Sequence, residues 1–563
     1  MKLALAWLLL PSLVSVVGFV RLEDGHWSLT RVGLLFLFVA FNLAALSAPL
    51  VLFARWRRVF FCMSPLVFFG GMAMQYYFVA GEYPGQAVIA VLAVESIEQL
   101  AGLVGYFWWG LLFPLIWLLA YLCLVSRYVP AMIPVANQSL RQRRGVWLLL
   151  GLAGMSNVYA GTWAELATSD ELAPYTAKWL GSTDGKNPFL FSDIEYAIFP
   201  AQVVKLAFDL YRIKMHGPRY SVPASQFRFQ AVTSPATGSA PLKLVLVIGE
   251  SARPDRWSLF GHARETTPCL RSSLEKSDGR MVAFRDVTAG ANLTAVALPM
   301  IVGRATPLDL TPMDQERSLL ALFREAGYRT FWISNQDRVP YSLDADTAYY
   351  GNPDWATNTG RYDRDLLPIV ERALREEPRV LVVVHTIGNH WPYELRVPDA
   401  ERLFSVPGGP VVDVYDDSIR AVDQFLCQLF GLAERDGDPV LVWYVADHGE
   451  NLPGQHEATK LGQHGYEHPS RGETVVPMLV WANRHFAATR DAMRIFAQRQ
   501  ALPLDQSVVF DTFAGLAQIE FPTYRPEKDL ANPAFRISAE RWILGGSQKK
   551  KHSIAAILKG SDD

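Results

Sequence analysis

Cysteine is scarce in this sequence, with only four residues in a chain of 563. Cys62 and Cys123 fall inside long apolar runs, and the other two are Cys269 and Cys427. Domains that depend on several disulfides are far richer in cysteine, so a disulfide framework is not indicated. The sequence leaves open whether Cys269 and Cys427 pair, because the fold would have to bring them together.

An excess of positive charge is also missing. The 53 Lys and Arg residues are balanced by 55 Asp and Glu residues, which gives a formal net charge of −2. Proteins that bind nucleic acids usually carry a basic surface, so we expect no nucleic acid partner. The chain is also too long for a single hydrophobic core, and this predicts at least two domains.

Apolar residues are concentrated at the start of the chain. A transmembrane helix needs about 20 apolar residues, and five stretches qualify, at residues 3–20, 32–54, 59–80, 101–125 and 146–163. The first stretch also resembles a cleaved signal peptide, but no cleavage site of the A-x-A type follows it. We therefore predict a five-helix transmembrane domain over residues 1–163.

Basic residues in the loops predict how this domain is oriented. The loops at 55–58 and 127–144 are strongly basic, whereas 21–31 is mixed and 81–100 is acidic. Because basic loops stay in the cytoplasm, the amino terminus is expected inside and everything after residue 163 outside.

A change of pattern follows the predicted spans. Residues 164–240 contain polar stretches with Pro, Gly and Ser, and we interpret them as a linker with an interfacial helix. From 241 to 545, short apolar strands alternate with helical patterns, which predicts a parallel or mixed sheet with helices on both faces. The expected strands are 244–249, 328–334, 380–384, 439–445 and 477–481, and the expected helices are 315–326, 363–375 and 415–434. Residues 546–563 form a basic tail, whose run Lys549–His552 is expected to be solvated.

Polar side chains follow three of the predicted strands. Glu250 follows the first, His385 and His390 follow another, and Asp447 with His448 follows a third. Ligands bind beyond the carboxyl ends of the strands in open α/β sheets, and zinc accepts imidazole and carboxylate ligands. The sequence therefore predicts a zinc site at this edge of the sheet.

Thr294 is the candidate nucleophile of this site. It lies where a loop is predicted to enter a helix, and coordination to a metal activates a hydroxyl. The amino terminus of a helix also attracts phosphate. A threonine at such a position is more often an N-cap, and this alternative stays open. Three histidines, His456, His464 and His468, crowd the segment after His448, and one of them is expected to complete the site.

Several motifs together resemble one family. They are V-I-G-E-S-A-R-P-D-R-W-S-L-F-G-H at 247–262, N-L-T-A-V-A-L-P-M at 292–300, H-T-I-G-N-H-W-P-Y at 385–393 and V-A-D-H-G-E at 445–450. In this order they resemble the phosphoethanolamine transferases of the Gram-negative inner membrane, members of the alkaline phosphatase and sulfatase superfamily. The resemblance implies an α/β/α sulfatase-like catalytic domain in the periplasm, anchored by a multi-pass membrane domain.

The resemblance also implies roles for individual residues. The zinc ligands would be Glu250, Thr294, Asp447 and His448, with Thr294 also becoming phosphorylated. The substrate-binding residues would be His385, His390, His464, Asn335, Gln336 and Glu98. A second zinc ion is possible at His390 and His464. Many members bracket the nucleophile loop with a disulfide, but Ala289 and Met300 occupy those positions here, so packing alone is expected to hold the loop.

The implied reaction moves phosphoethanolamine from phosphatidylethanolamine, a membrane lipid, to a cell-envelope acceptor. The acceptors implied are lipid A, core sugars of lipopolysaccharide and periplasmic glucans. Two alternatives remain. One is a phosphoglycerol transferase of the same superfamily, which would use a different lipid head group. The other is an inactive, membrane-anchored scaffold, which the complete set of expected zinc ligands disfavours.

Overall fold

The computed structural model describes residues 227–233, 240–336, 355–358, 362–452, 464–465, 468–489, 491–546 and 551–559, together with six helical residues between 115 and 123. The described residues from 227 onward belong to one compact unit. Apart from those six residues, the five predicted membrane spans lie outside the described part of the chain. Within that part, no helix combines the length and the apolar character that crossing a bilayer requires.

The structure describes thirteen strands, which are β1 (Val232–Thr233), β2 (Leu242–Gly249), β3 (Met281–Phe284), β4 (Asp286–Thr288), β5 (Arg329–Ser334), β6 (Trp355–Asn358), β7 (Arg379–His385), β8 (Val440–Ala446), β9 (Met478–Ala482), β10 (Pro503–Asp505), β11 (Ile519–Glu520), β12 (Trp542–Leu544) and β13 (Lys551–Ser553). From residue 227 onward it describes eleven α-helices, which are α1 (Pro268–Lys276), α2 (Thr294–Val302), α3 (Thr311–Gln315), α4 (Leu319–Glu325), α5 (Leu367–Glu376), α6 (Val411–Glu434), α7 (Arg471–Thr474), α8 (Arg484–Thr489), α9 (Ala492–Arg499), α10 (Val508–Leu516) and α11 (Ile554–Lys559).

A seven-stranded mixed sheet forms the centre of this unit, in the order β3-β9-β8-β2-β7-β5-β6. β2 pairs in parallel with both β7 and β8, whereas β9 runs antiparallel to β8. Every residue of β2 and β8 is buried, as expected for strands rich in Val, Leu and Ile with both faces covered. The helices pack in two groups: α1 and α5 contact α6, and α2 and α4 contact α10. The predicted α/β/α architecture is confirmed.

Strand register brings the predicted site residues to one edge. Ile248 in β2 pairs with His385 in β7, and Gly249 pairs with Ala446 in β8. Because parallel neighbours end together, the residues that follow β2, β7 and β8 emerge side by side. On the far side of β7, Ser334 of β5 also pairs with His385.

Two predicted helices differ in detail from those observed. The helix expected at 315–326 is interrupted, because Glu316 and Ser318 adopt extended backbone conformations between α3 and α4. The helix expected at 363–375 starts with a 3-10 turn, Asp363–Leu366, and α5 follows with a proline in its first turn. The five predicted strands lie within two residues of the observed bounds.

Parts of the predicted linker and tail pack into the fold. Val232–Thr233 pairs with Ile519–Glu520, and Phe229 is only 2% exposed because its ring packs against Phe510 and Phe521. At the other end, Lys551–Ser553 pairs with Trp542–Leu544, and the Lys551 side chain of this strand is exposed.

The two cysteines left open by the sequence, Cys269 and Cys427, form a disulfide between α1 and α6.

Candidate active site

Three charged or ionisable side chains are completely buried at the carboxyl edge of β2 and β8. Glu250, Asp447 and His448 each have 0% exposure, and their ligand atoms all lie within 4.8 Å of one another. Ser251 follows Glu250 with a positive φ of 52°, a conformation that non-glycine residues adopt at some energetic cost. Its hydroxyl donates to Glu250 Oε1 at 2.7 Å. The chain therefore turns sharply here and directs the Glu250 carboxylate into the cluster.

Thr294 completes this cluster as the first residue of α2. Its Oγ1 lies 3.1 Å from Glu250 Oε2 and 3.1 Å from His448 Nε2. The N-cap position is occupied by Leu293, and no side chain caps this helix. The N-cap alternative for Thr294 is thus wrong, because its hydroxyl faces two side chains instead of the helix backbone.

Backbone contacts orient His448 and Asp447. Nδ1 of His448 lies 2.7 Å from the carbonyl oxygen of Gly449, which can only accept, so Nδ1 carries a proton and donates it to this oxygen. Asp447 Oδ1 accepts from the amides of Ser251 and His448 at 3.2 and 2.7 Å. Its other oxygen, Oδ2, lies 3.4 Å from His448 Nε2. These contacts leave His448 Nε2 and Asp447 Oδ2 as the atoms that face the cluster.

Charge in this cluster is poorly compensated by the protein alone. Burial and the nearby Glu250 carboxylate raise the pKa of Asp447 well above its ordinary value. Burial also favours a raised pKa at Glu250, but attraction to positive charge on neighbouring imidazoles, of which His448 contributes most, lowers it overall. Among the described residues, Asp447 Oδ2 has no hydrogen-bond partner although it is buried. Two carboxylates, an imidazole and a hydroxyl around one point fit a divalent cation.

A second group with metal-ligand spacing shares Glu250. It consists of Glu250, His390 and His464, and their ligand atoms also lie within 4.8 Å of one another. The His464 ring lies 4.1 Å from the His448 ring and 5.6 Å from the His390 ring, measured between centroids. Burial, together with His448, lowers the pKa of His464 to about 3, so its imidazole is neutral near pH 7. This group offers a second position for a cation or for the phosphate of a substrate.

The other predicted substrate residues differ in their placement. His385 is buried, which lowers its pKa to about 4, and Nδ1 lies 3.5 Å from Ser334 Oγ. Asn335 donates to Asp363 at 3.1 Å. Gln336 donates to Glu250 Oε2 and to the carbonyl oxygen of Thr386, both at 2.8 Å. Gln336 thus contacts a predicted metal ligand directly, while Glu98 and His456 lie outside the described residues.

Residues 289–293 lead to the predicted nucleophile Thr294 and are here called the nucleophile loop. This loop is held by more than packing. Gly290 N donates to Gln506 Oε1 at 2.9 Å, and the carbonyl oxygen of Gly290 accepts from Leu544 N at 2.9 Å. Asn292 Nδ2 donates to Glu473 Oε1 at 2.9 Å. The expectation that packing alone fixes this loop is therefore wrong. No sequence signal pointed to these partners, because they lie far from the loop along the chain.

Comparison with known proteins adds a family match, one relative and two solved structures. The family model described as Sulfatase matches residues 243–519. Phosphoethanolamine transferase EptC of Escherichia coli (strain K12) is 29% identical over 341 residues, which are 56% of this chain and 57% of the relative. The match thus spans less than two thirds of that relative's length.

Two solved structures share the fold. The C-terminal periplasmic domain of EcEptC from Escherichia coli, in complex with Zn, aligns with a TM-score of 0.51 at 25% identity, covering 59% of this chain and 96% of that one. The integral membrane protein lipooligosaccharide phosphoethanolamine transferase A (EptA) from Neisseria meningitidis aligns with a TM-score of 0.65, covering 94% of this chain and 98% of that one. At 21% identity, the second match shows a common fold alone.

Proposed function

We propose that the protein is a metal-dependent transferase that moves phosphoethanolamine from phosphatidylethanolamine to a cell-envelope acceptor. The match of residues 243–519 to the family model described as Sulfatase supports this proposal. The observation that carries this proposal is the Thr294 hydroxyl, which lies 3.1 Å from both Glu250 Oε2 and His448 Nε2. A hydroxyl so placed is a nucleophile next to acceptors that orient it and can take its proton.

The metal that best fits the site is zinc, held by the four side chains around one point, Glu250, Thr294, Asp447 and His448. When bound, zinc supplies a Lewis acid that acidifies a hydroxyl and stabilises charge on phosphoryl oxygens. The relative solved in complex with Zn supports this choice. The second group, Glu250, His390 and His464, is a candidate for a further zinc ion or for the substrate phosphate.

The protein residues perform a two-step transfer in this proposal. Thr294 Oγ1 attacks the phosphorus of phosphatidylethanolamine, and the bond from phosphorus to the diacylglycerol oxygen breaks. Diacylglycerol leaves with the proton that Thr294 gives up, and Thr294 carries phosphoethanolamine. A hydroxyl or phosphate oxygen of the acceptor then attacks the same phosphorus, the bond to Thr294 breaks, and Thr294 Oγ1 takes up the proton that the acceptor or solvent supplies. Because Thr294 starts α2, the helix amino terminus lies beside the transferring phosphoryl group and favours its negative charge.

Other side chains support this geometry. Ser251 and Gln336 each donate to Glu250, one to each carboxylate oxygen, at 2.7 and 2.8 Å. These bonds hold the carboxylate in place when a metal or substrate arrives. We assign His385, His390, His464 and Asn335 to the binding of the lipid head group, together with Glu98 from the membrane-proximal part of the chain.

The wider arrangement belongs to the same proposal. Residues 1–163 would span the Gram-negative inner membrane five times, and residues 164–240 would lead to a periplasmic catalytic domain at 241–545. Such an anchor confines the site to the plane of the donor lipid. Acceptors of the proposed class are lipid A, core sugars of lipopolysaccharide and periplasmic glucans.

A phosphoglycerol transferase is the competing function, and a head-group comparison separates the two. The full-length protein would be incubated in detergent micelles with zinc and either phosphatidylethanolamine or phosphatidylglycerol, and released diacylglycerol would be measured. Release from phosphatidylethanolamine by the wild type, and none by Thr294→Ala, is the expected result. Preferential release from phosphatidylglycerol would replace the proposal with the competing one. No release from either lipid by zinc-loaded protein would favour an inactive scaffold.

A further inference from the structure

We infer that Gln506 is a positioning residue that sets the distance between the nucleophile Thr294 and the metal ligand Asp447. The inference rests on the proposed function, because it assumes that Thr294 is the nucleophile. Gln506 follows β10 and precedes α10, and it is only 1% exposed. Neither its position in the sequence nor any motif described above singles it out.

The side-chain amide of Gln506 connects the end of β8, next to Asp447, to the nucleophile loop. Gln506 Nε2 donates to the carbonyl oxygens of Ala446 and Asp447, each at 2.6 Å. Its Oε1 accepts from Gly290 N at 2.9 Å. Ala446 ends β8, and Gly290 belongs to the nucleophile loop, four residues ahead of Thr294. A single planar group therefore connects the backbone of a predicted metal ligand to the backbone that carries the nucleophile.

The chemistry of these contacts requires an amide. Two of the partners are carbonyl oxygens, which only accept, and the third is an N–H, which only donates. A glutamine satisfies all three at once, and its orientation follows from the partners, because the flipped amide would face oxygen with oxygen. A carboxylate would lose both donations, and an apolar side chain of equal length would lose all three contacts.

The position of the contacts explains why catalysis depends on them. The Ala446 amide is itself bonded to the carbonyl oxygen of Pro477, and the Asp447 amide to that of Gly249, so the Asp447 side of the bridge belongs to the rigid sheet edge. The Gly290 side belongs to a loop. Loss of the bridge would let Thr294 shift relative to the ligands, and a displacement of about 1 Å at a reacting group costs about 100-fold in rate.

Two variants of Gln506 and one matched control test this inference. Gln506→Met keeps length and removes every contact, and Gln506→Glu keeps the acceptor for Gly290 N alone. The control is Asn483→Leu. Asn483 is a buried amide that also bridges backbone groups, accepting from Val440 N at 3.0 Å and donating to the carbonyl oxygen of Asp438 at 2.8 Å. These partners lie at the opposite end of β8, away from the site.

Diacylglycerol release from phosphatidylethanolamine micelles would be measured together with the melting temperature, the KM for the donor lipid and the zinc content. Both Gln506 variants should lower kcat by about 100-fold, with KM changed by less than about twofold and zinc retained. Asn483→Leu should lower the melting temperature at least as much and leave kcat within about threefold of the wild type, at a temperature where all proteins are folded.

Three outcomes would overturn the inference. The first is a wild-type kcat in Gln506→Glu, because the Gly290 contact alone would then be sufficient. The second is an equal loss of kcat in Asn483→Leu, which would mark a general stability effect. The third is loss of zinc from the Gln506 variants in proportion to kcat, which would assign the residue to metal retention. Failure of the proposed function is recognised separately, because wild type and Thr294→Ala would then release diacylglycerol equally or not at all.

Discussion

Replacing Glu473 by glutamine should destabilise the domain built on the seven-stranded sheet and loosen residues 289–293, which lead to the proposed nucleophile Thr294. Glu473 is fully buried in α7, and its carboxylate accepts hydrogen bonds from Asn292, Gly465 and Ser470. Oε1 accepts from Asn292 Nδ2 at 2.9 Å and from Gly465 N at 3.0 Å, and Oε2 accepts from Ser470 N at 2.8 Å. One buried group thus joins the nucleophile loop to the segment that carries His464.

The size of the effect follows from these contacts. Glutamine has one acceptor oxygen, so in either orientation its NH₂ group faces at least one N–H donor. Hydrogen bonds to a charged group contribute about 1.5–3 kcal/mol, and a buried donor left unpaired adds a further cost, so we expect a loss of about 2–4 kcal/mol. Unfolding entropy of about 2.1 cal/mol/K per residue over roughly 300 ordered residues converts this into a fall of about 3–6 °C in melting temperature.

Differential scanning fluorimetry of the full-length protein in detergent micelles measures this shift. Glu434→Gln provides the control, because Glu434 is 26% exposed and forms surface ion pairs with Arg280 and Arg484. Exposed pairs contribute about 0–1 kcal/mol, so this control should shift the melting temperature by less than about 2 °C. Equal falls in melting temperature in Glu473→Gln and Glu434→Gln would refute the reasoning. A buried carboxylate with several hydrogen-bond donors would then stabilise the protein no more than an exposed one.

Two further predictions concern pH and backbone contact. Burial raises the pKa of Asp423 to about 6, so the folded state holds this proton more tightly than the unfolded state. This contribution to the free energy of unfolding is complete below about pH 4 and is lost as pH rises through about 6, and it amounts to about 3 kcal/mol. A pH series of melting temperatures should show this loss in the wild type and not in Asp423→Asn. An unchanged pH profile in Asp423→Asn would contradict the assignment. Gly449→Ala should abolish metal binding and activity, because an added Cβ would lie 1.9 Å from the carbonyl oxygen of Gly472. Gly437→Ala is the control, because an added Cβ there meets nothing within 4 Å, and it should leave metal binding and activity unchanged. Retention of metal by Gly449→Ala would contradict the prediction, because the backbone at Gly472 would then have moved aside.

Much of the fold could be predicted because its sheet is built from apolar strands. The stretches that became β2, β7 and β8 are rich in Val and Leu and end at polar residues, so both their existence and their carboxyl ends are visible in the sequence. The break between α3 and α4 was not visible, because residues 315–326 carry a helical pattern without Gly or a central Pro. The extended backbone at Ser318 separates α3 from α4, and this conformation depends on tertiary packing.

The site was predictable where its polar residues directly follow apolar strands in the sequence. Glu250, Asp447 and His448 could be selected because each follows a strand, and the structure brings their side chains together with Thr294. Their roles remain predictions. Gln506 and Glu473 were not predictable, since a buried amide and a buried carboxylate in ordinary surroundings have no distinctive spacing. Their partners lie 216 and 181 residues away along the chain, and only the folded chain places them in contact.

The measurement that tests the central claim most directly is intact-mass spectrometry with peptide mapping after brief incubation of the protein with phosphatidylethanolamine and zinc. The wild type should gain the mass of one phosphoethanolamine group on the peptide containing Thr294, and Thr294→Ala should gain none. Ser251 is the informative competitor, because its hydroxyl also lies next to Glu250, at 2.7 Å from Oε1. A mass increment that maps to Ser251, or that persists in Thr294→Ala, would contradict the account.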